Sequence, residues 1–345
     1  MSLEIFQFSQ EEQPEWDEFI LNSPFGSIHQ ISDWKGFQEK IPGRGHVLGF
    51  GVKEDQKIKA VVFCVKMSTG FLNKFWWYSA RGPVFDPKKN KQAGEFLVKE
   101  VAKRLKKEGG MFWRFDPYFE NNPGSKFPES GFKIQKATQN YQPTDTLEID
   151  LTKSNDQILS EMKRKGRYNI NLARKKGVKI VAISAGQFTD QDLADFWELN
   201  NQTTQRDKFS GHEKSYYEKL LKELKGQAVL FFAEVENKKI ATAISTFCGK
   251  KAIYYFGASS SDPQVRNLMA PYLLQWEMMQ YAKKKNCQTY DFLGIAPEGE
   301  KHHSYAGISE FKWKFGGERK TYMGGQEVVF DRFWYGVYRL VKKFY

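Results

Sequence analysis

The chain has 345 residues, a length that fits two domains better than one. Its 53 Lys+Arg against 41 Asp+Glu give a formal charge of +12, which favours an anionic partner (nucleic acid, a phosphorylated metabolite or a membrane surface), with simple solubility as the alternative. Its three cysteines form no CxxC pair, no run of 18 apolar residues occurs, and residues 1–16 have no signal-peptide pattern. We therefore expect a cytoplasmic protein with reduced cysteines.

The first half of the chain predicts a strand–strand–helix–strand unit. An apolar run at 57–66 is followed by the aromatic strand FWWYSARGPVFDP at 75–87. Apolar residues then recur at helical spacing through 92–110, where Gly109 and Gly110 end the helix. The segment MFWRFDP at 111–117 predicts the next strand.

The second half repeats this order. Its equivalents are the apolar run at 238–250, the aromatic strand at 252–263, the helix at 272–287 and the strand at 288–294. The Asp86-Pro87 turn corresponds to Asp262-Pro263, and Asp116 corresponds to Asp291. We predict a duplicated unit of the α/β class, with mixed α+β sheets, joined near 137–150 and with the working site where the copies meet.

A basic helix is predicted at 155–176, with Ser154 or Asn155 as N-cap and Gly177 just after its end. Dense cations on one short element suit a phosphate backbone, and a solvated helix face is the alternative. These cations are Lys163, Arg164, Lys165, Arg167, Arg174, Lys175 and Lys176.

The segment GISEFKWKFGGE at 307–318 alternates aromatic residues with Lys312 and Lys314, which predicts a strand broken by Gly316 and Gly317. One face would be apolar, and the other would present two ammonium groups. From this pattern alone an amphipathic surface strand is favoured over a functional strand.

Several chemistries find no support in the sequence. The His302–His303 pair has no third ligand at a fitting spacing, so we predict no metal site. No GxxxxGK[ST] loop, no GxGxxG after a strand and no GxSxG elbow occurs. None of the three cysteines lies in a nucleophile motif.

The C-terminal segment 330–345 predicts an amphipathic helix. Its apolar stripe consists of Phe333, Val337, Leu340, Val341 and Phe344, with Arg332, Arg339, Lys342 and Lys343 beside it. Docking of the stripe on the protein body is favoured, and contact with an anionic membrane is the alternative.

The segment from YYFGASS to FKWKFGGE, at 254–318, resembles the signature region of the FemABX aminoacyltransferases that form peptidoglycan bridges. The basic segment KRKGRYNINLARKKGVKI at 163–180 and HQISDWKGF at 29–37 also resemble parts of that family. The resemblance covers about residues 3–330. The segment from Arg206 to Gly226 is too short for the family's coiled-coil arm, so the chain resembles the compact FemX type.

The resemblance implies two N-acetyltransferase-like (GNAT) domains, at 1–143 for the acceptor and 144–330 for the aminoacyl-tRNA, with the helix 331–345 beyond them. It implies transfer of Gly, Ala or Ser from aminoacyl-tRNA to the stem-peptide amine of UDP-MurNAc-pentapeptide or lipid II. Direct aminolysis of the activated ester needs no covalent enzyme intermediate, and positioning supplies much of the acceleration. We expect no cofactor, a monomer, and a cytoplasmic location with peripheral contact to the inner membrane face.

The resemblance also assigns candidate site residues. Lys312, with Phe311 beside it, would stabilise the oxyanion or the leaving ribose oxygen, and Asp116 would orient the amine or accept its proton. Diphosphate contacts would come from Lys35 and Arg206, and muropeptide contacts from Tyr216 and Tyr255. The tRNA contacts would be Lys163, Arg164, Lys165, Arg167, Arg174 and Lys175. The structural alternatives are a turn for Asp116, a surface position for Lys35, pairing of Arg206 with Asp207 or Glu213, and packing for Tyr216.

Two other functions remain open. An acetyl-CoA-dependent N-acyltransferase would need glycines in its pyrophosphate loop, where this chain has Met269 and Pro271. A non-enzymatic RNA- or membrane-binding protein would use the basic helix and the C-terminal segment.

Overall fold

The computed structural model describes residues 2–70, 72–121, 127, 131–300 and 302–344, without the side chains of 343 and 344. It divides into two compact units. Unit 1 contains the chain up to Thr144 and again from Thr321, and unit 2 contains Asp145–Lys320. No helix in the described part of the chain has the length and apolar character needed to cross a bilayer.

The strands, in chain order, are β1 (Leu3–Gln7), β2 (Val47–Glu54), β3 (Lys57–Ser68), β4 (Phe75–Arg81), β5 (Val84–Phe85), β6 (Phe112–Pro117), β7 (Ile134–Lys136), β8 (Asp145–Asp150), β9 (Lys179–Ser184), β10 (Ala228–Val235), β11 (Lys238–Cys248), β12 (Lys251–Ser259), β13 (Thr289–Gly294), β14 (Glu318–Thr321) and β15 (Gln326–Val329).

The helices are α1 (Gln13–Asn22), α2 (Ser32–Glu39), α3 (Lys91–Lys107), α4 (Asn155–Glu161), α5 (Arg164–Lys175), α6 (Asp190–Asp207), α7 (Lys214–Glu223), α8 (Pro263–Arg266), α9 (Ala270–Lys284), α10 (Ala306–Lys312) and α11 (Arg332–Phe344). Short 3₁₀ turns occupy Ile28–Gln30, Lys225–Gln227 and Trp313–Phe315. The longest helix described, α6, has 18 residues, so no long arm occurs in the described part of unit 2.

The sheet of unit 1 has the order β1-β2-β3-β4-β6-β15-β7, with β5 paired to β3. Strands β4 and β6 are parallel, and α3 connects them. Because side chains alternate along a strand, Trp77 and Trp113 pack with α3 on one face. Trp76 and Phe112 pack with α11 on the other face. The two helices therefore cover opposite faces of this sheet.

The sheet of unit 2 has the order β14-β8-β13-β12-β11-β10-β9. Strands β12 and β13 are parallel, and α8 and α9 lie between them in the chain. This reproduces the order β3, β4, α3, β6 of unit 1, which confirms the predicted α/β class and the equivalence of the two copies. The Asp-Pro turns also agree, since Asp86 accepts hydrogen bonds from the Lys88 and Lys89 amides and Asp262 accepts one from Gln264.

The C-terminal part of the chain differs from the predicted division, which placed residues 321–330 in the second domain. They belong to unit 1, because β15 pairs antiparallel with β6. The buried Glu327 lies opposite Arg114 in this register and accepts a hydrogen bond from its Nε at 2.8 Å. Both side chains are buried, so removal of either partner would leave an uncompensated charge inside the protein.

The predicted continuous helix at 155–176 is wrong, because α4 and α5 are separated at Met162 and Lys163. The Arg167 guanidinium donates to the carbonyls of Leu159 and Ser160 at 3.2 and 3.3 Å, and also to that of Met162. It thereby satisfies acceptors that the end of α4 leaves open. The capping box at Ser154 and the left-handed Gly177 after α5 agree with the prediction.

The predicted strand at 307–318 is also wrong, since this segment forms α10 and a 3₁₀ turn. Phe311 and Phe315 are four residues apart, so a helical path brings both rings against Tyr272, at 5.0 and 5.7 Å. Gly316 and Gly317 then take positive φ angles of 77° and 87° and end the helix. Aromatic residues at every second position therefore also fit a helix, because the first and third of them are four residues apart and lie on one side of it.

The C-terminal helix α11 docks on unit 1 by a different face from the predicted stripe. Tyr335 and Tyr338 are buried against Phe112, and the Tyr335 hydroxyl donates to Glu327. Phe333 and Leu340, predicted to dock, are 71% and 60% exposed. The side chains of Lys343 and Phe344, which were part of that prediction, lie outside the residues that the structure describes. The buried Arg114–Glu327 pair needs a polar covering group, which a tyrosine supplies and a leucine cannot.

Candidate functional site

The Lys312 side chain occupies a buried position in unit 2, whereas the sequence suggested an exposed ammonium on a strand. Only 6% of it is exposed, and its Nζ donates a hydrogen bond to the Gly294 carbonyl at 2.6 Å. Burial lowers the Lys312 pKa to about 8. At neutral pH roughly nine-tenths of such a lysine is still protonated, so the site presents an ammonium that releases its proton more readily than a surface lysine does.

The carbonyl that holds Lys312 is placed by a distortion at the end of β13. The register between β13 and β8 shifts between Asp291 and Gly294, and Leu293 has a φ of 61°. A left-handed leucine costs about 1 kcal/mol, so other contacts must hold it. The Leu293 amide donates to the Asp291 carboxylate at 2.7 Å, which stabilises the turn that directs the Gly294 carbonyl towards Lys312.

Asp291 is the fully buried counter-charge of this site. Its carboxylate accepts a hydrogen bond from the Thr146 hydroxyl. The negative charge of Asp291 raises the Lys312 pKa and opposes the larger lowering by burial. In the sequence, Asp291 was noted only as the repeat equivalent of Asp116. A carboxylate inside an otherwise apolar strand was the feature that could have identified it as a site residue.

Two further contacts fix the helix that carries Lys312. The Ser309 hydroxyl accepts from the Ala296 amide at 2.8 Å and donates to the Tyr305 carbonyl at 2.6 Å, which ties α10 to the segment leaving β13. On the adjacent face of α10, the ring of Phe311 packs against Tyr272 at 5.0 Å. Phe311 is therefore half-buried beside Lys312, and its role as a substrate contact stays a prediction.

Asp116 lies at the end of β6 in unit 1 and is 2% exposed. Its carboxylate accepts from the Tyr78 hydroxyl at 2.8 Å and from the Arg81 amide at 2.7 Å. Burial raises the Asp116 pKa to about 6, although the nearby Arg81 charge partly opposes the rise. A carboxylate with this pKa accepts a proton near neutrality more readily than an ordinary aspartate does.

Arg81 is the charged residue of this cluster that the sequence did not single out. It is buried, has a φ of 49°, and donates from Nη2 to the Pro143 carbonyl at 2.9 Å. Its guanidinium lies over the ring of Tyr118 at 4.7 Å and over that of Tyr322 at 5.4 Å. The sequence feature that could have identified Arg81 is a cation inside an aromatic strand, just before Gly82-Pro83.

The predicted diphosphate ligands make contacts within the protein. Lys35 in α2 forms an ion pair with Glu39 at 2.7 Å, as expected for a surface helix lysine. Arg206 at the end of α6 pairs with Asp207 at 2.9 Å and donates to the Ser259 carbonyl at 3.1 Å. Both side chains remain about one quarter exposed, at 24%, so their roles as anion ligands stay predictions.

The two predicted tyrosine contacts differ in exposure. Tyr216 is buried and stacks on His212 with a centroid distance of 3.8 Å, which is the packing alternative that the sequence left open. Tyr255 is half-buried on β12, with its ring 4.8 Å from that of Phe256. Contact of either ring with a muropeptide stays a prediction.

The basic residues around α5 fall into three groups. Lys163, Arg164, Lys165 and Lys175 are exposed, which leaves their charges accessible to a phosphate backbone. Arg174 is exposed but pairs with Glu277 at 2.9 Å. Arg167 is half-buried and its guanidinium bonds the α4 carbonyls, so it has a structural role that the sequence did not predict.

The segment of unit 2 that is equivalent to a GNAT pyrophosphate loop has few backbone N–H groups to offer an anion, and in unit 1 the Asp-Pro turn before α3 is closed by its own carboxylate. In unit 1 the Asp86 carboxylate accepts two backbone N–H groups at 2.9 and 3.1 Å. In unit 2 the Met269 amide bonds the Arg266 carbonyl, and Pro271 has no N–H. An anion needs free N–H groups at a helix start. Among the described residues no cluster of three or more His, Cys, Asp or Glu could hold a metal ion.

Two units of this architecture in one chain define a tandem GNAT-like protein. A tandem GNAT protein from the clavulanic acid biosynthesis pathway superposes with a TM-score of 0.56 at 10% identity, covering 95% of this chain and 99% of that one. The crystal structure of FemX superposes with a TM-score of 0.84 at 22% identity, covering 97% of this chain and 99% of that one.

The family is shown by sequence. Residues 11–125, 121–246 and 236–343 match the FemAB family. A lipid II:glycine glycyltransferase of Staphylococcus epidermidis is 24% identical over 95% of this chain and 93% of that protein, and one of Staphylococcus haemolyticus is 24% identical over 92% and 90%. The chain belongs to the FemAB family, and it is an aminoacyltransferase of peptidoglycan bridge formation, as the FemABX resemblance predicted.

Proposed function

We propose that this enzyme transfers Gly, Ala or Ser from aminoacyl-tRNA to the stem-peptide amine of a peptidoglycan precursor, with Lys312 at the aminoacyl ester. The observation that carries the proposal is the buried Lys312 ammonium, held by the Gly294 carbonyl in a chain of the FemAB family. Relatives named as lipid II:glycine glycyltransferases favour glycine as the amino acid and a lipid-linked acceptor.

The reaction forms an amide C–N bond and breaks the ester C–O bond to the ribose. The amine loses one proton and the leaving ribose oxygen gains one. The Lys312 ammonium can stabilise the oxyanion of the tetrahedral intermediate, as fixed cations do in a site that excludes water. With its pKa lowered to about 8, it is also a stronger acid towards the leaving oxygen than an ordinary lysine.

Asp116 is proposed to act on the acceptor side. With a pKa raised to about 6, its carboxylate is ionised at neutral pH and can accept one proton from the acceptor ammonium before the neutral amine attacks, or orient that amine. Tyr78 and the Arg81 amide hold both carboxylate oxygens, which fixes the direction of its remaining lone pairs. Lys35 and Arg206 are proposed for the acceptor diphosphate, and the exposed cations of α5 for the tRNA backbone.

The test is a transfer assay with a defined pool of donors and acceptors. The enzyme is incubated with tRNA charged with Gly, Ala or Ser, and with either UDP-MurNAc-pentapeptide or lipid II in detergent. Mass spectrometry of each acceptor is expected to show the increment of one amino acid, with glycine on lipid II as the favoured product. Absence of an increment on both acceptors with all three donors would contradict the proposal.

An acetyl-CoA-dependent acyltransferase is the second candidate, and the structure argues against it. In unit 2 the Met269 amide donates to the Arg266 carbonyl, and Pro271 has no N–H to offer a pyrophosphate. Acetyl transfer to the same acceptors, measured in parallel, is therefore expected to be absent.

A further inference from the structure

The helix α11 has two faces of different character. Tyr335 and Tyr338 point into unit 1 and are buried, whereas Phe333 and Leu340 are 71% and 60% exposed. Phe333 and Leu340 are seven residues apart, so they lie on one side of the helix. Each residue turns the helix by about 100°, so Phe333 lies about 200° around the axis from Tyr335. The docking face and the exposed apolar face are therefore on opposite sides of α11.

The turn between β3 and β4, with the half-buried Lys74 and the exposed Leu72, extends the outer face. Lys74, in the turn between β3 and β4, has its ammonium 4.5 Å from the ring of Trp334, so this turn lies beside α11. In the same turn Leu72 is 71% exposed. We name the resulting patch the C-terminal surface, and it consists of Leu72, Lys74, Arg332, Phe333, Arg339 and Leu340.

Cations flank the apolar residues of this surface. Arg332 and Arg339 are exposed and seven residues apart, so both lie along one edge of α11. Lys74 lies at the opposite edge, where it contacts Trp334. An apolar strip between two cationic edges is the arrangement of a helix that lies in the interface of an anionic bilayer, where the apolar groups enter the acyl region and the cations meet the headgroups.

We propose that the C-terminal surface binds anionic phospholipid bilayers and places unit 1 at the membrane. A second copy of the chain fits the surface less well, because a two-fold contact would bring Arg332 and Arg339 against the same cations. RNA fits less well because a phosphate backbone offers no apolar partner for Leu72 and Leu340. The proposal concerns binding alone, so its failure would leave the transfer reaction untouched.

The first experiment is vesicle co-sedimentation of the full chain. Vesicles of equal parts phosphatidylglycerol and phosphatidylcholine are compared with phosphatidylcholine alone, and we expect binding only to the anionic set, weakened by added salt. Phe333→Ser with Leu340→Ser, and separately Arg332→Gln with Arg339→Gln, are each expected to weaken binding on the order of tenfold. Unchanged binding in the serine pair, or no binding by the parent protein, would overturn the proposal.

A matched control is available on α3, which covers the opposite face of the same sheet. Lys99 and Lys106 are exposed and seven residues apart, so Lys99→Gln with Lys106→Gln removes the same charge at the same spacing. It is expected to retain vesicle binding within about twofold. If this pair weakens binding as much as the Arg332 and Arg339 pair, the effect is one of net charge and the proposal fails.

A labelling experiment separates lipid from the other occupants. The three native cysteines are buried, so Phe333→Cys can be labelled with an environment-sensitive dye, with Phe209→Cys in unit 2, which replaces a side chain that is 52% exposed, as the control. Anionic vesicles are expected to shift only the Phe333→Cys emission to the blue. A shift produced by tRNA or by raising the protein concentration, and absent with vesicles, would assign the surface to RNA or to a second copy and overturn the proposal.

Discussion

The Lys312 ammonium donates to the Gly294 carbonyl at 2.6 Å, and both groups lie at the distorted end of β13. This contact joins the helix α10 to the strand that also carries Asp291. The Gly294 carbonyl that accepts this hydrogen bond is neutral, and the negative charge of Asp291 raises the Lys312 pKa, so both groups favour a charged lysine at this site. The relationship leads to the first three predictions.

Replacing Lys312 by Met should abolish transfer without unfolding the protein. Loss of a cation that stabilises an oxyanion is expected to lower kcat/KM by about 100- to 1,000-fold. The free energy of unfolding should change by only about 1 kcal/mol, because the lost hydrogen bond is offset by removal of a buried charge. Transfer kinetics and urea unfolding measure the two effects. Lys314→Met, two residues away, is the control, and full activity of Lys312→Met would exclude Lys312 from the mechanism.

The pH dependence of kcat/KM should be bell-shaped. Below a pH of about 6 the Asp116 carboxyl is protonated and cannot accept a proton, so the rate falls as pH decreases. Above a pH of about 8 Lys312 loses its proton, so the rate falls as pH increases. Steady-state assays across this range test both limbs. Asp116→Asn should remove the acid limb while the alkaline limb remains, and an acid limb that persists in this variant would contradict the assignment.

Asp291→Asn should move the alkaline limb to lower pH. The Asp291 charge opposes the lowering of the Lys312 pKa by burial, so its removal lets the pKa fall further below 8. The amide can still accept from Leu293, which preserves the turn. The pH profile of kcat/KM is the measurement, with the exposed Glu310→Gln on the same helix as the control. An unshifted limb would show that Asp291 does not act through Lys312.

Gly166→Ala should destabilise unit 2, because a Cβ at this position would lie 2.4 Å from the Lys314 carbonyl oxygen. The helix α5 would have to move away from the turn that follows Lys312, at a cost of about 1–3 kcal/mol. Gly336→Ala is the matched control, since that helical glycine has open space around it and alanine favours helix by about 1 kcal/mol. Chemical unfolding compares the two variants, and equal stabilities would contradict the close approach.

The α5 cations should separate into binding and structural residues. The triple variant Lys163→Gln, Arg164→Gln, Lys165→Gln is expected to reduce the slope of log K against log salt for tRNA by about 2. Arg167→Gln should instead lower the free energy of unfolding by about 1–3 kcal/mol, because it leaves α4 carbonyls without donors. Filter binding at several salt concentrations tests the first effect.

Lys99→Gln, Lys106→Gln, Lys107→Gln on α3 is the charge-matched control for the tRNA measurement. These lysines are exposed in unit 1, so the control removes the same net charge from an element not proposed to bind RNA. An equal loss of slope in this control would show that the tRNA contact is not located on α5.

The sequence by itself determined the repeat and the positions of several turns and helix ends. Residues close together in the chain predict the repeated strand–strand–helix–strand order, the two Asp-Pro turns, the cap at Ser154 and the end at Gly177. Local hydrogen bonds and backbone preferences fix such features, and the structure agrees with them. The family could also be recognised from the sequence, because each of its motifs is a continuous segment of the chain.

The tertiary structure decided what depends on contacts between distant residues. Alternating aromatics at Phe311 and Phe315 suit a strand or a helix, and only packing on Tyr272 selects the helix. Glu327 lies opposite Arg114, 213 residues earlier in the chain, which returns the C-terminus to unit 1. The burial that shifts the pKa of Lys312 arises in the same way, because desolvation is a property of the assembled core and not of any local pattern.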